Sequence, residues 1–330
     1  MIRQPVIPFL GPYESKCFSK YFKGIDSLLS QRFSLGFLPD EEHLTSTLCE
    51  LLDDRGSLLH SLPYNLSNLN CDLKQNSGLL KTNILISTRN YNKYEEHHYT
   101  QSDLGVILEY KDYIEPSCDF KRGVLIQAKK LFPTSGNDYN FHSEYKSFDS
   151  AQHDRIERLN KFFVDKKCGG DCIKYLMYNP PFEVMPKNEQ RKIIHRRKRL
   201  DAQSIFNFPP RLNRCQELLE GDTSSILNLG CIFSSVDTIH KLAVESAQKR
   251  RTDKSLYKFT LESLINAVDI QESSLSWFFV VDLMTMGKGC SCNEVINLIN
   301  SQNQSNLEDF IPPKYSITIR ITAGGDENER

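Results

Sequence analysis

An aspartate, a glutamine and a lysine occur at a spacing that suits a divalent-cation site. Asp103 precedes the apolar run "LGVILEY", and Gln127 and Lys129 stand two positions apart in "GVLIQAKKL", residues 123–131. Carboxylate, amide and carbonyl oxygens are the ligands that Mg²⁺ prefers. An ammonium group beside them can offset charge that develops on a phosphate. These residue types therefore favour metal-assisted hydrolysis of a phosphodiester.

Two predicted strands, 103–110 and 124–131, must position these side chains. Both are rich in apolar residues, and the polar segment between them predicts a hairpin connection. Because side chains alternate along a strand, Gln127 and Lys129 share one face. An antiparallel hairpin then brings Asp103 to the end of the pair that Lys129 reaches.

Three oxygen donors are expected to hold the cation. They are the carboxylate of Asp103, the side-chain amide oxygen of Gln127 and the main-chain carbonyl of Ala128, which points toward the same edge of the sheet. Bound Mg²⁺, or Mn²⁺ in its place, polarises the phosphate and lowers the pKa of the attacking water. Lys129 is expected to orient or activate that water.

A helix upstream of the strands offers a further acid, which could bind the cation through water. The stretch "PDEEHLTSTLCELL" predicts a helix with Asp40 as its N-cap. Glu41 lies on the leucine stripe of this helix, whereas Glu42 points about 100° away from it. We therefore expect Glu41 to face the sheet and keep Glu42 as the alternative.

The order of these residues and elements resembles the PD-(D/E)xK nuclease superfamily, and more nearly its Mrr-like restriction-endonuclease branch. The motifs that carry the resemblance are a helix glutamate, "SD" at 102–103, "QAK" at 127–129 and a following helix that contains Gln152. A further strand follows that helix, and the resemblance covers roughly residues 38–180.

The resemblance implies a role for each residue of the set. Asp103 would be the central metal ligand, Gln127 the second motif position and Lys129 the catalytic lysine. Gln152 matches a glutamine that some members of the branch carry on the helix after the motif, and Glu41 matches the helix acid. Two departures are that no proline precedes Asp103 and that Gln127 replaces the usual acid.

The fold expected on this basis is α/β, with a restriction-endonuclease-like core of order α-β-β-β-α-β whose mixed sheet is flanked by helices. Residues 1–36 form an N-terminal lead-in and residues 37–185 the nuclease core. Residues 186–330 differ in composition, with a dense basic run and a strongly apolar stretch, and predict a mainly helical accessory or regulatory region.

The charge balance limits how the chain could bind nucleic acid. The formal net charge is -1, so any contact with phosphates must use a local basic patch or a patch that a partner supplies. The run at 187–201 offers such a patch, although a solvated helix face explains it equally well. Its candidate DNA-binding residues are Arg191, Arg196, Arg197, Lys198 and Arg199.

Other classes of protein find little support in the sequence. No apolar run is long enough to cross a membrane, and the N-terminus lacks the features of a signal peptide, so we expect a cytoplasmic protein without membrane contact. No phosphate-binding "GxxxxGK[ST]" loop occurs. The cysteines in "CGGDC" and "CSC" have irregular spacing for zinc, and reduced thiols are the expectation.

The function that we predict from the sequence is a Mg²⁺-dependent endonuclease. DNA is the expected substrate, with RNA as the alternative, and restriction or anti-phage defence is the expected setting; both follow from the resemblance. Because the sequence contains no nucleotide-binding "GxxxxGK[ST]" loop of an ATP-driven motor, we expect a second subunit or a homo-oligomer to control the activity. The rival predictions are a catalytically inactive nucleic-acid-binding module and a structural or assembly subunit.

Overall fold

The computed structural model describes residues 12–35, 38–53, 62–76, 82–90, 102–165, 172–194, 229–250, 256–268, 273–300 and 313–324. The α-helices are α1 (Pro12–Gln31), α2 (Glu41–Leu52), α3 (Leu66–Asn76), α4 (Ser150–Asp165), α5 (Val236–Arg250), α6 (Leu261–Ala267) and α7 (Asn293–Asn300). Residues 187–194 are also helical, and a π-helix spans Trp277–Thr285. The strands are β1 (Thr82–Asn90), β2 (Leu104–Asp112), β3 (Phe120–Phe132), β4 (Glu144–Asp149), β5 (Ile173–Tyr178), β6 (Cys231–Ser235), β7 (Leu256–Thr260) and β8 (Tyr315–Ala323).

The described strands form one mixed, open sheet of eight strands. Its main path runs β1-β8-β2-β3-β4-β7, and β5 pairs with both β3 and β6. The pairs β2–β8 and β3–β5 are parallel, and the remaining pairs are antiparallel. The chain is therefore an α/β protein with a mixed sheet, as the sequence predicts.

The sheet contains strands from both sides of the boundary that we predict near residue 185. Strands β6, β7 and β8 come from the region after it, and β8 lies between β1 and β2. The side chains of Ile317, Ile319 and Ile321 on β8 are fully buried. Residues 186–330 therefore contribute three strands to the same sheet as the preceding region, and the described part of these residues contains more helix than strand.

Strand β3 is the strand around which the candidate site is built. It forms the predicted hairpin with β2, with Leu104 opposite Ile126 at the end of the ladder. The main-chain N–H of Asp103 donates to the carbonyl of Ile126 at 3.0 Å. Beyond that bond, β2 and β4 pair with no residue of the segment 127–130, and β5 pairs along its other edge, so the β2-facing edge of this segment is left open to other groups.

Two glycines on neighbouring strands let helix α7 approach the sheet closely. A Cβ atom at Gly105 would lie 2.6 Å from the side chain of Ile299, and one at Gly123 would lie 3.0 Å from that of Val295. Both distances are too short for an ordinary contact. The close approach buries the apolar face of α7 against β2 and β3.

Side chains cap the exposed edge of the sheet at β1. Asn70 of α3 donates from its amide nitrogen to the carbonyl of Ile84 at 2.9 Å and accepts from the N–H of Ile84 at 2.8 Å. Asp53 accepts from the N–H of Thr88 at 2.9 Å and from its hydroxyl at 2.8 Å. These side chains occupy main-chain groups that could otherwise pair with another strand.

We expect Asn70→Ala to lower the free energy of unfolding by about 1–3 kcal/mol, because it leaves both main-chain groups of Ile84 without their partner. Chemical denaturation of the variant measures the change. Gln75→Ala, an exposed position on the same helix, is the control and should change the free energy of unfolding by less than about 0.5 kcal/mol. Equal losses in the two variants would contradict the capping role.

The two cysteine clusters meet in the fold. The Cys172 thiol donates a hydrogen bond to the sulfur of Cys290, and this bond lowers the pKa of the Cys290 thiol. Cys292 takes part in a disulfide, so the expectation of reduced thiols is wrong for this residue. Free thiols are found at Cys17, Cys49, Cys71, Cys118, Cys172, Cys231 and Cys290.

Candidate metal centre

Two carboxylates occupy the open edge of β3 where β2 ends. The N–H of Ala128 donates to Oδ2 of Asp103 at 2.8 Å, and the N–H of Lys130 donates to Oε2 of Glu41 at 3.2 Å. Alternate residues of a strand direct their main-chain groups to the same edge. The two carboxylates therefore accept hydrogen bonds from β3 in the place that β2 occupies earlier along the strand. Their donors, the N–H groups of Ala128 and Lys130, are two residues apart.

The carbonyl of Ala128 lies on this same edge, because the N–H and C=O of one strand residue point the same way. It therefore falls between the groups that Asp103 and Glu41 present to β3. The amide nitrogen of Gln127 lies 3.4 Å from this carbonyl oxygen. Three oxygen-bearing groups thus lie along this edge: two carboxylates and one main-chain carbonyl.

Lys129 directs its ammonium group to the same place. Its Nζ lies 3.2 Å from Oε1 of Glu41, and only 4% of the residue is exposed. Strand β5 pairs along the other edge of β3 at this position, with Met177 opposite Lys129. A buried ammonium against a carboxylate keeps a positive charge fixed beside the oxygen donors.

The side-chain amide of Gln127 is oriented differently from the prediction. Its nitrogen donates to Oδ2 of Asp103, and its oxygen accepts a 3.1 Å hydrogen bond from the amide nitrogen of Gln152 on α4. Gln127 is 1% exposed. The oxygen that we expect as a metal ligand therefore faces Gln152 and not Asp103.

The first turn of α2 is held in place by the predicted N-cap and by two hydroxyl groups that the sequence does not signal. The N-cap Asp40 accepts from the N–H of His43 at 2.6 Å. The hydroxyl of Thr45 donates to the carbonyl of Glu41 at 2.9 Å, and the Tyr178 hydroxyl donates to that of Thr45 at 3.1 Å. These two hydrogen bonds connect the end of β5 to the helical turn that carries Glu41. No local pattern around Tyr178 signals this connection, because its partner is distant in sequence.

The remaining predicted residues lie away from this edge or outside the described residues. Glu42 is exposed, and its carboxylate pairs with Lys314 at 2.6 Å, so Glu41 is the acid that meets β3. Arg191 is exposed on the helical segment 187–194. The other predicted DNA-binding residues lie outside the described residues: Arg196, Arg197, Lys198 and Arg199.

Comparisons with protein-family models, with curated proteins and with solved structures found no match to this chain. Within the described part of the chain, no helix has the length and apolar character needed to span a membrane.

Burial raises the pKa values of both carboxylates, and repulsion by Asp103 adds to the shift of Glu41. Burial raises the pKa of Glu41 to about 7; the attraction of Lys129 opposes this, and the charge of Asp103 adds to it. Burial also raises the pKa of Asp103, against the attraction of Lys129 and the N–H of Ala128. A cation placed between the two acids would relieve this repulsion.

The donor set fits a hard, partly hydrated cation. In the described ranges, no group of three or more His, Cys, Asp and Glu side chains is placed to hold a metal ion. Here only Asp103 and Glu41 belong to those four types, and the third donor is the carbonyl of Ala128. Mg²⁺ suits such a set, because it takes oxygen ligands and keeps several waters.

We expect the stability of the Mg²⁺-free protein to fall as the pH rises from about 4.5 to about 7. The folded-state pKa of Glu41, about 7, lies above its ordinary value of 4.5. In that window the folded state therefore binds the proton that the unfolded state has lost. Mg²⁺ requires the ionised acids, so the increase in Tm on adding Mg²⁺ should be larger at pH 8 than at pH 6.

Thermal denaturation at pH 5–8, with and without Mg²⁺, measures both effects. Glu41→Gln should flatten the Mg²⁺-free pH dependence and reduce the Mg²⁺ effect at pH 8. An unchanged pH dependence in Glu41→Gln would contradict the assignment of this titration to Glu41.

Proposed function

We propose that this protein is a metal-dependent nuclease that hydrolyses phosphodiester bonds, with Mg²⁺ as the cofactor. The observation that carries the proposal is the open edge of β3. There the carboxylates of Asp103 and Glu41 flank the carbonyl of Ala128, and the ammonium group of Lys129 lies 3.2 Å from Glu41. The proposal is supported by the positions of these groups along β3, and the same residues are predicted from the sequence.

In the proposed mechanism, Asp103 and the Ala128 carbonyl would hold the cation, and Glu41 would be a further ligand. When bound, Mg²⁺ polarises the phosphate and acidifies a water. Lys129 orients that water and stabilises the negative charge that develops on the phosphate oxygens. Because Lys129 is buried and paired, its charge is already in place before substrate binds, and little reorganisation is needed.

DNA is the proposed substrate, with the basic run that begins at Arg191 as a proposed phosphate-binding surface. A second subunit or a homo-oligomer is the proposed means of control, and restriction or anti-phage defence the proposed setting. These assignments extend the family resemblance of the sequence, and the geometry of the β3 edge supports only the chemistry.

One observation favours a second candidate, a catalytically inactive nucleic-acid-binding module. Gln127 stands where the resemblance expects an acid, and it turns a hydrogen-bond donor toward Asp103. A site that has one carboxylate fewer binds a cation more weakly. On this alternative, the fold would bind nucleic acid without cleaving it.

Incubation of the purified protein with supercoiled plasmid and with single-stranded DNA and RNA separates the two candidates. The proposal predicts cleavage with Mg²⁺ or Mn²⁺ and none with EDTA. Electrophoretic retention of the same substrates measures binding in parallel. Retention without cleavage under any of these cations would favour the inactive module, and the absence of both would contradict both candidates.

A further inference from the structure

We propose that Gln152 is a positioning residue that sets which end of the Gln127 amide faces the metal centre, and that the two amides invert together when the cation binds. This inference rests on the proposed function, since it concerns how the same centre is loaded. Neither residue needs to touch the substrate in this role.

The starting arrangement places a hydrogen-bond donor at the centre. The amide nitrogen of Gln127 donates to Asp103 and lies 3.4 Å from the carbonyl oxygen of Ala128. These are two of the three oxygen donors of the β3 edge. In the cation-free protein, the N–H groups of Gln127 therefore satisfy oxygens that a cation would take over.

An amide nitrogen carries hydrogens and has no lone pair available for a metal ion. The amide oxygen has lone pairs that it can donate to the ion. A cation beside Asp103 would repel the N–H groups of Gln127 and attract its carbonyl oxygen. Rotation of the terminal amide by half a turn supplies that oxygen without moving the rest of the buried side chain. Such terminal torsions have broad, roughly two-fold preferences, so either orientation is accessible.

Gln152 makes this inversion possible without the loss of a hydrogen bond. It now donates to the oxygen of Gln127 at 3.1 Å. After inversion Gln127 presents its nitrogen to Gln152, which must then present its own oxygen. Because each amide has a donor end and an acceptor end, the pair keeps one hydrogen bond in both states if the two turn together.

Gln152→Glu separates the two orientations. A carboxylate only accepts hydrogen bonds, so at position 152 it can bond only to the amide nitrogen of Gln127. The Gln127 amide is then held in the inverted orientation before any cation binds. Asn160→Glu adds the same charge to the same helix two turns further on and is the matched control. The readout is the side-chain NH₂ resonances in protein labelled with ¹⁵N-glutamine, assigned by their loss in Gln127→Met and Gln152→Met.

In wild-type protein, Mg²⁺ should shift the NH₂ resonances of Gln127 and Gln152 at the same concentration. In Gln152→Glu without Mg²⁺, the NH₂ resonances of Gln127 should already lie near their positions in Mg²⁺-bound wild-type protein. Gln152→Glu should also bind Mg²⁺ about fivefold more tightly than Asn160→Glu does. If Gln152→Glu does not fold, the wild-type titration alone decides the question.

Two results would overturn the inference, and they are distinguishable. If Mg²⁺ binds and Asp103→Asn abolishes that binding, but the Gln152 resonances do not move, the paired inversion is wrong and the proposed metal centre stands. If calorimetry detects no Mg²⁺ binding to the wild-type protein, the metal centre and the inference fail together.

Discussion

Lys129→Met is expected to lower the rate of Mg²⁺-dependent cleavage by about 10²–10³-fold, the loss typical when one preorganised charge or donor is removed from a transition state. The ammonium group of Lys129 is buried against Glu41 at 3.2 Å, so its charge acts in a site largely shielded from water. Methionine keeps much of the apolar stem and removes the ammonium group, with its charge and its hydrogen bond to Glu41. Steady-state cleavage of a labelled duplex measures the rate.

Lys130→Met is the matched control for this prediction. Lys130 is the next residue on β3, but its ammonium group donates to the carbonyl of Pro39 at 2.7 Å, and its replacement leaves the main-chain N–H that binds Glu41 in place. Its replacement should change the rate by less than about tenfold. Equal losses at the two positions would show that a general basic surface, and not a placed ammonium, accounts for the activity.

Asp103→Asn is expected to remove both cleavage and the stabilisation by Mg²⁺, without lowering the stability of the Mg²⁺-free protein. Asparagine can still accept from the N–H of Ala128, and it removes the charge that adds to the effect of burial on the pKa of Glu41. Loss of one metal-binding carboxylate should reduce cleavage by at least about 10²-fold. Thermal denaturation with and without Mg²⁺ measures the stability.

Asp112, at the opposite end of β2, provides the control for a buried aspartate with a purely structural role. It accepts hydrogen bonds from the Tyr110 hydroxyl and from the N–H groups of Ile114 and Glu115, each at 2.9 Å. Asp112→Asn should lower the free energy of unfolding by about 1–3 kcal/mol and leave the Mg²⁺ effect intact. If Asp103→Asn behaves like Asp112→Asn, Asp103 is structural.

Local patterns predicted much of the candidate site's geometry. The hairpin of β2 and β3 follows from two apolar segments with a polar connection, and strand alternation then brings Asp103 near Gln127 and Lys129. The leucine stripe of α2 separates Glu41, which meets β3, from Glu42, which pairs with Lys314. These relations depend on short sequence separations or on one helix face, and for that reason the sequence reveals them.

Contacts between distant segments are what the sequence does not reveal. The alternation in "KYSITIRITA" predicts a strand, but nothing local says that β8 inserts between β1 and β2, more than two hundred positions upstream. The choice depends on burying Ile317, Ile319 and Ile321 against both neighbours. The orientation of the Gln127 amide is equally hidden, because it depends on Gln152 from another element.

The most direct test of the metal centre is a crystal structure of the protein soaked with Mn²⁺, with anomalous scattering recorded at the manganese edge. We predict one anomalous peak at the open edge of β3, about 2.2 Å from an oxygen of Asp103 and from the carbonyl oxygen of Ala128. Glu41 should bind the same ion directly or through one water. A soaked crystal without a peak at this edge, or with Mn²⁺ bound only elsewhere, would contradict a metal centre formed by Asp103, Glu41 and Ala128.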